Sequence, residues 1–200
     1  MAWYEVETKV KISDVNSLRK KIKEIAKFEK KESRGDDYFA LEGRGYPKKA
    51  FRIRYNGKDY VVNFKKRKKD LFTKEIVVKE EFEFKLCDIK HIGNFLALLE
   101  DLGFKEWVKK RKTTESYLYK KDKRVVIEIN YVEYLGYYME IEFLAKPSQV
   151  PMAKKKIYAV LKELGIKQNE IDNIGYTKRL YEKGIKDKKY FIKAKSVSEK

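Results

Sequence analysis

The sequence predicts an α+β fold built on antiparallel strands, and three observations carry that expectation. Apolar and charged residues alternate with period two over much of the chain, as in strands with one buried face. Short turn signals such as Asn56-Gly57 separate consecutive strand segments, so neighbours pair antiparallel. A few other stretches carry apolar residues at helical spacing.

The elements follow in order. Tyr4, Val6, Thr8, Val10 and Ile12 share one strand face, and Glu5, Glu7, Lys9 and Lys11 share the other. Asp14 is placed to cap a helix in which Val15, Leu18, Ile22, Ile25 and Phe28 recur up to about Lys31. Strands resume at Asp37–Glu42, and Gly43–Lys49 reads as a loop. Phe51–Tyr55 and Asp59–Lys65 form a hairpin about Asn56-Gly57. After the basic loop Lys65–Lys69 comes a long strand, Glu75–Leu86, with Val78, Phe82 and Phe84 on its apolar face. A helix striped by Ile92, Phe95, Leu96 and Leu99 ends near Gly103. Strands at Phe104–Tyr119, Arg124–Val132 and Gly136–Leu144 follow, then Pro147 and Pro151 as breakers. A helix from about Ala153 to Leu164, a shorter one around Ile174–Lys183 and a Lys-rich tail complete the chain. One domain over 1–183 and a tail over 184–200 are expected.

The 200 residues are 42% hydrophobic and 14% aromatic, enough to build a core. Lys and Arg (49) exceed Asp and Glu (31), a formal charge of +18 that favours polyanionic partners such as phosphates or nucleic acid. The lone cysteine, Cys87, excludes an intramolecular disulfide. No leader pattern opens the sequence, and no apolar run approaches the ~18 residues of a membrane span, so a cytoplasmic chain with no membrane partner is expected.

The polar strand faces carry the chemistry. Glu-x-Glu occurs in three strands, as Glu5/Glu7, Glu81/Glu83 and Glu140/Glu142. Alternate strand residues project to one side, so each pair sets two carboxylates on one face. Arg52/Arg54, Lys109/Arg111 and Lys9/Lys11 do the same with cations; Lys65 and Lys79 add single charges, and Glu128 and Asn130 continue the series. A solvated sheet face would give the same alternation in any one strand. Were the sheet to close with its apolar face outward, these charges would line an interior and require compensation. A polyanion held by Arg and Lys, with Mg²⁺ or Mn²⁺ held by Glu, supplies it.

Other chemistries fit poorly. His91 is the single histidine, against a Ser-His-Asp triad or a His-rich zinc site, and no Gly-x-x-x-x-Gly-Lys-Ser/Thr loop occurs.

The ordered set of motifs resembles the CYTH family of triphosphate tunnel metalloenzymes. Glu5, Glu7 and Lys9 match its Glu-x-Glu-x-Lys opening, Arg52 and Arg54 its Arg-x-Arg strand, and Lys65 the following lysine. Lys79, Glu81 and Glu83 match its Glu-x-Glu strand, Lys109 and Arg111 its Lys-x-Arg strand, and Tyr131–Glu142 its Leu-Gly…Glu-Ile-Glu stretch. The resemblance covers roughly residues 1–183. It implies an eight-stranded antiparallel β-barrel with helices packed outside. It also implies metal ligands Glu5, Glu7, Glu81, Glu140 and Glu142, and phosphate ligands Lys9, Arg52, Arg54, Lys65, Lys79 and Arg111. The implied catalytic set is Glu5, Glu7, Lys9, Glu83 and Lys109. Two departures stand out: Asn130 replaces the family's usual acid, and Gly175-Tyr176 replaces a late Ser-Tyr.

The resemblance implies a class IV adenylyl cyclase, making cyclic AMP and pyrophosphate from ATP, or a hydrolase of inorganic, nucleoside or thiamine triphosphate. The alternative is a module that binds triphosphate, polyphosphate or RNA with little turnover, which Asn130 and the +18 charge motivate. Nucleic acid is the weaker partner, since base readout needs more than a basic tail. A monomer or homodimer is expected.

Overall fold

A computed structural model describes residues 3–41, 45–55, 60–86 and 89–185. Eight antiparallel strands close into a barrel: β1 (Trp3–Lys11), β2 (Ala26–Leu41), β3 (Ala50–Tyr55), β4 (Tyr60–Arg67), β5 (Val77–Leu86), β6 (Phe104–Tyr119), β7 (Val125–Val132) and β8 (Gly136–Ala145). The order around the barrel is β1-β5-β4-β3-β2-β6-β7-β8. Among the described residues four α-helices accompany them: α1 (Val15–Ile25), α2 (Ile89–Asp101), α3 (Val150–Leu164) and α4 (Tyr176–Glu182). None of the described helices is long and apolar enough to cross a membrane.

Two expected boundaries move. The helix expected to reach Lys31 stops at Ile25, and β2 starts at once with Ala26 in an extended conformation. Lys120 closes that end: its backbone N–H donates to the Ile25 carbonyl (2.9 Å) and its ammonium to the Lys23 and Glu24 carbonyls (3.2 and 2.6 Å). Phe28 therefore leaves the helical stripe and sits edge-on to Tyr117, ring centroids 5.5 Å apart. Pro151 lies within the first turn of α3 rather than before the helix, where its missing N–H costs no helical hydrogen bond. The Asn56-Gly57 turn, Cys87 and the tail from residue 186 lie outside the described residues.

The contacts divide the chain into two compact units, and β2, β4, β5 and β6 run through both. The first holds the described residues within Met1–Ser33, Lys65–Glu81 and Lys112–Ile174. In it Val6, Val10, Ile127, Ile129, Met139, Ile141 and Phe143 pack with Leu18 and Ile22 of α1 and Ile157, Val160 and Leu164 of α3. The apolar strand face is thus the one under the helices, and the charged face is the opposite one. The second unit holds the described residues within Arg34–Phe64, Phe82–Arg111 and Gly175–Lys200. There Ile53 and Val62 meet Leu99, Phe95 and Leu96 of α2.

Candidate functional site

In the first unit, strand register assembles the carboxylates. Glu7 lies opposite Glu142 and Lys9 opposite Glu140 across β1 and β8. Glu128 lies opposite Glu140 across β7 and β8, and Glu5 opposite Lys79 across β1 and β5. These side chains are cross-strand neighbours on the face away from the helices.

The result is two sets of three carboxylates that share Glu142. Oxygens of Glu5, Glu7 and Glu142 lie within 4.8 Å of one another, and so do those of Glu128, Glu140 and Glu142. Glu5, Glu7, Glu128 and Glu140 are buried. Lysines answer part of this charge. The Lys65 ammonium is 2.5 Å from Glu5 and 3.4 Å from Glu81, and Lys79 pairs with Glu7. Lys112 lies 3.1 Å from Glu128 and 3.5 Å from Glu140. Asn130, fully buried, accepts from the Thr114 hydroxyl (2.7 Å) and donates to Glu140 (2.8 Å) and Glu128 (3.3 Å).

Carboxylates still outnumber ammonium groups here: Glu5, Glu7, Glu81, Glu128, Glu140 and Glu142 face Lys9, Lys65, Lys79 and Lys112. The excess is visible in proton affinity. Burial, then Glu128, Glu5, Glu140 and Glu7, push the Glu142 carboxyl well above its ordinary value. Glu7 is also raised, by burial and by Glu5 and Glu140 against the pull of Lys79. Lys79 is raised by Glu7 and Glu5 although burial opposes it. Burial lowers Lys9 to about 8 despite Glu140, Asp172 and Glu7. Clustered hard oxygen donors with surplus negative charge form a set that can hold a divalent cation.

The segment after α3 closes on Lys9. The Asp172 N–H donates to the Lys9 carbonyl (2.7 Å), the Lys9 N–H donates to the Asn173 side chain (2.9 Å), and the Lys9 ammonium donates to the Ile174 carbonyl.

In the second unit the chemistry is cationic. Asp36 of β2 lies opposite Arg54 of β3, and Tyr38 opposite Arg52. Arg54 grips Asp36 with two nitrogens (2.6 and 3.2 Å); Arg52 adds a contact at 3.4 Å and Lys110 one at 2.8 Å. Burial would raise the Asp36 carboxyl, but Lys110, Arg52 and Arg54 hold it well below its ordinary value. The same three cations lower the Tyr38 phenol against its burial.

Not every expected residue joins these sets. Glu81 pairs with Lys65 and belongs to neither carboxylate set. Glu83 is exposed and accepts from Asn63 (3.4 Å). Lys109 is buried against Asp37 (3.1 Å) and Glu106 (3.2 Å), and Arg111 is exposed. β6 instead turns Lys110 to Asp36 and Lys112 to Glu128, a register one residue away from Lys109/Arg111. Asp36, Tyr38, Lys110, Lys112 and Thr114 were not singled out from sequence. The signal for β6 lies further along the strand. Thr114 and Ser116 are small, polar and buried, whereas on the odd-numbered face Thr113 and Glu115 are only partly buried and Tyr117 and Tyr119 join the core. His91 is exposed on α2.

Residues 4–176 match the model of the CYTH domain. The PH1819 protein of Pyrococcus horikoshii OT3 is 32% identical with a TM-score of 0.72, over 90% of this chain and 99% of that one. A conserved hypothetical protein of Pyrococcus furiosus is 27% identical, TM-score 0.66, over 87% and 98%. HpAC1 of Hippeastrum, an adenylyl cyclase candidate described as having a dominant triphosphatase activity, shares the fold at 17% identity, TM-score 0.60, over 90% and 96%. No curated protein matches the chain.

Proposed function

The chain belongs to the CYTH family, and on that premise we propose that it binds a triphosphate together with Mg²⁺ or Mn²⁺ and cleaves it. The observation that carries this reading is the shared carboxylate Glu142, raised well above its ordinary proton affinity between two sets of acidic oxygens. Such an arrangement is costly unless protons or cations answer it.

We assign the metal to Glu5, Glu7, Glu140 and Glu142, and add Glu128 because it completes the second set. A bound divalent ion supplies Lewis-acid polarisation of phosphoryl oxygens and charge neutralisation. Phosphate oxygens fall to Lys9, Lys65 and Lys79 in the first unit and to Arg52 and Arg54 in the second, where Lys110 takes the role expected of Arg111. Arg54 and Arg52 keep part of their side chains open to solvent while their positions are fixed by Asp36. Glu5, Glu7 and Lys9 remain the reaction residues. Glu83 and Lys109, engaged with Asn63 and with Asp37 and Glu106, maintain the surrounding charge arrangement.

Two reactions use these groups. In hydrolysis, a water oxygen bonds to the terminal phosphorus of inorganic, nucleoside or thiamine triphosphate and the bridging P–O bond breaks. In cyclisation, the ribose 3′-hydroxyl of ATP attacks the α-phosphorus and pyrophosphate leaves. Product identification after incubation with Mg²⁺ or Mn²⁺ and each of ATP, inorganic triphosphate and thiamine triphosphate tests the proposal. Orthophosphate assigns a triphosphatase, and cyclic AMP with pyrophosphate assigns a cyclase.

Asn130 favours one other reading, a module that holds triphosphate, polyphosphate or RNA without turnover. Its amide cannot accept a proton from a nucleophile and is committed to Glu128 and Glu140. Metal-dependent binding without product identifies that case.

A further inference from the structure

We propose that Asp36 is a positioning residue: it braces Arg52, Arg54 and Lys110 into a pre-formed cradle for the oxygens of a phosphorylated anion. The proposal rests on the triphosphate reading above and adds to it a residue that touches no substrate atom.

Three features of the second unit point to a brace. The first is depth. The Asp36 side chain has no exposed surface, whereas Arg52 and Arg54 retain 12% and 16% of theirs. The carboxylate lies behind the guanidinium groups, so an anion arriving from solvent meets the arginines first. The second is geometry. Arg54 uses Nε and Nη2 on Asp36, which fixes the plane of the fork and leaves Nη1 for a ligand. Lys110 is fixed as well, its ammonium 5.6 Å from the Tyr38 ring and 5.5 Å from the Tyr176 ring. The third is charge. Asp36 is a single carboxylate in contact with three cations, which keeps those cations from separating at a place where an anion is attracted.

A carboxylate inside an anion site has two opposite consequences. It repels an arriving phosphate, and it holds the cations that bind that phosphate. Burial behind the arginines makes the second dominate, because the ordering of three long side chains is completed before the ligand arrives.

Isothermal calorimetry with inorganic triphosphate and Mg²⁺ separates the two. Asp36→Asn is expected to weaken binding on the order of tenfold relative to wild type, with Mn²⁺ binding in the absence of triphosphate unchanged. In an Arg54→Ala background the same substitution is expected to have a smaller effect than in wild type, since one of the three cations that Asp36 holds is already gone. Unchanged or tighter binding by Asp36→Asn, or a full additional loss in the Arg54→Ala background, overturns the brace. Should Asp36→Asn not fold, Asp36→Glu keeps the charge but shifts it by one methylene. The brace predicts weaker binding for that variant too, and equal or tighter binding contradicts it. If wild-type protein binds no triphosphate with or without metal, the function reading fails. The brace is then decided by ¹⁵N relaxation of the Arg54 Nε–H group. Rigid in wild type and mobile in the Asp36 variant supports it; equal mobility in both overturns it.

Discussion

Asn130 donates its side-chain amide to Glu140 at 2.8 Å and, more weakly, to Glu128 at 3.3 Å. One neutral group thereby holds two carboxylates that belong to a common acidic set, without adding to its negative charge. Thr114 fixes the amide by donating to its oxygen. The place of this amide is thus built into the strand register, with Thr114 opposite Asn130 across β6 and β7.

Asn130→Asp converts that brace into a further acid. Both donated hydrogen bonds are lost and a carboxylate is placed beside Glu128 and Glu140. The metal-free protein is expected to lose on the order of 1–3 kcal/mol of stability, while Mn²⁺ affinity rises. Urea unfolding with and without Mn²⁺ measures both. Unchanged metal-free stability contradicts the assigned hydrogen bonds.

Glu142→Gln acts in the opposite direction without metal. It removes the carboxylate that burial first, and then the charges of Glu128, Glu5, Glu140 and Glu7, push well above its ordinary value. The metal-free protein is expected to melt higher, by about 2–4 °C for each kcal/mol of relieved repulsion in a chain this size. Because Glu142 belongs to both carboxylate sets, calorimetric Mn²⁺ binding should fall at least tenfold, about 1.4 kcal/mol.

The register of β6 makes a paired prediction. Lys110→Ala removes a cation that contacts Asp36 at 2.8 Å, and triphosphate affinity should drop on the order of tenfold. Arg111→Ala alters an exposed side chain of the alternate face, and affinity should change by less than about threefold. Calorimetry on the two variants checks the pair, and the reverse ranking would restore the register expected from sequence.

Acid should expose Asp36. Its carboxyl is held below the ordinary value of 3.8 in the folded protein. As pH falls, the unfolded chain takes up this proton first. The contribution of Asp36 is therefore complete above 3.8 and is lost as pH falls through the lower folded value. The stability difference between wild type and Asp36→Asn should be constant from about pH 5 to 7 and shrink at lower pH. Urea titrations across that range measure it.

Much of this arrangement was legible in the residues. Glu5/Glu7 and Glu140/Glu142 could be read because period-two alternation separates their charged face from Val6, Val10, Met139 and Ile141, which pack under α1 and α3. Arg52/Arg54 alternate in the same way with Ile53. Where alternation fails, the residues do not tell one strand face from the other. Lys109-Lys110-Arg111-Lys112 is basic at every position and Thr113-Thr114-Glu115-Ser116 is polar at every position, so the pattern fits either face until the burial of Thr114 and Ser116 fixes the register. Asp36-Asp37 has the same ambiguity: Asp36 meets Arg54, and Asp37 meets Lys109 on the other side. At Ala26–Lys31 the helical stripe continued through Phe28, but pairing with strand neighbours and the Lys120 hydrogen bonds decided the backbone. Tertiary partners of this kind have no local signature.

Calorimetric titration of inorganic triphosphate into wild type and into the Glu5→Gln/Glu7→Gln double variant, each with Mg²⁺ and with chelator, tests the central claim most directly. The account predicts binding by wild type that strengthens at least tenfold with Mg²⁺, and loss of that metal-dependent gain in the double variant. Equal binding by both proteins, indifferent to Mg²⁺, would contradict it.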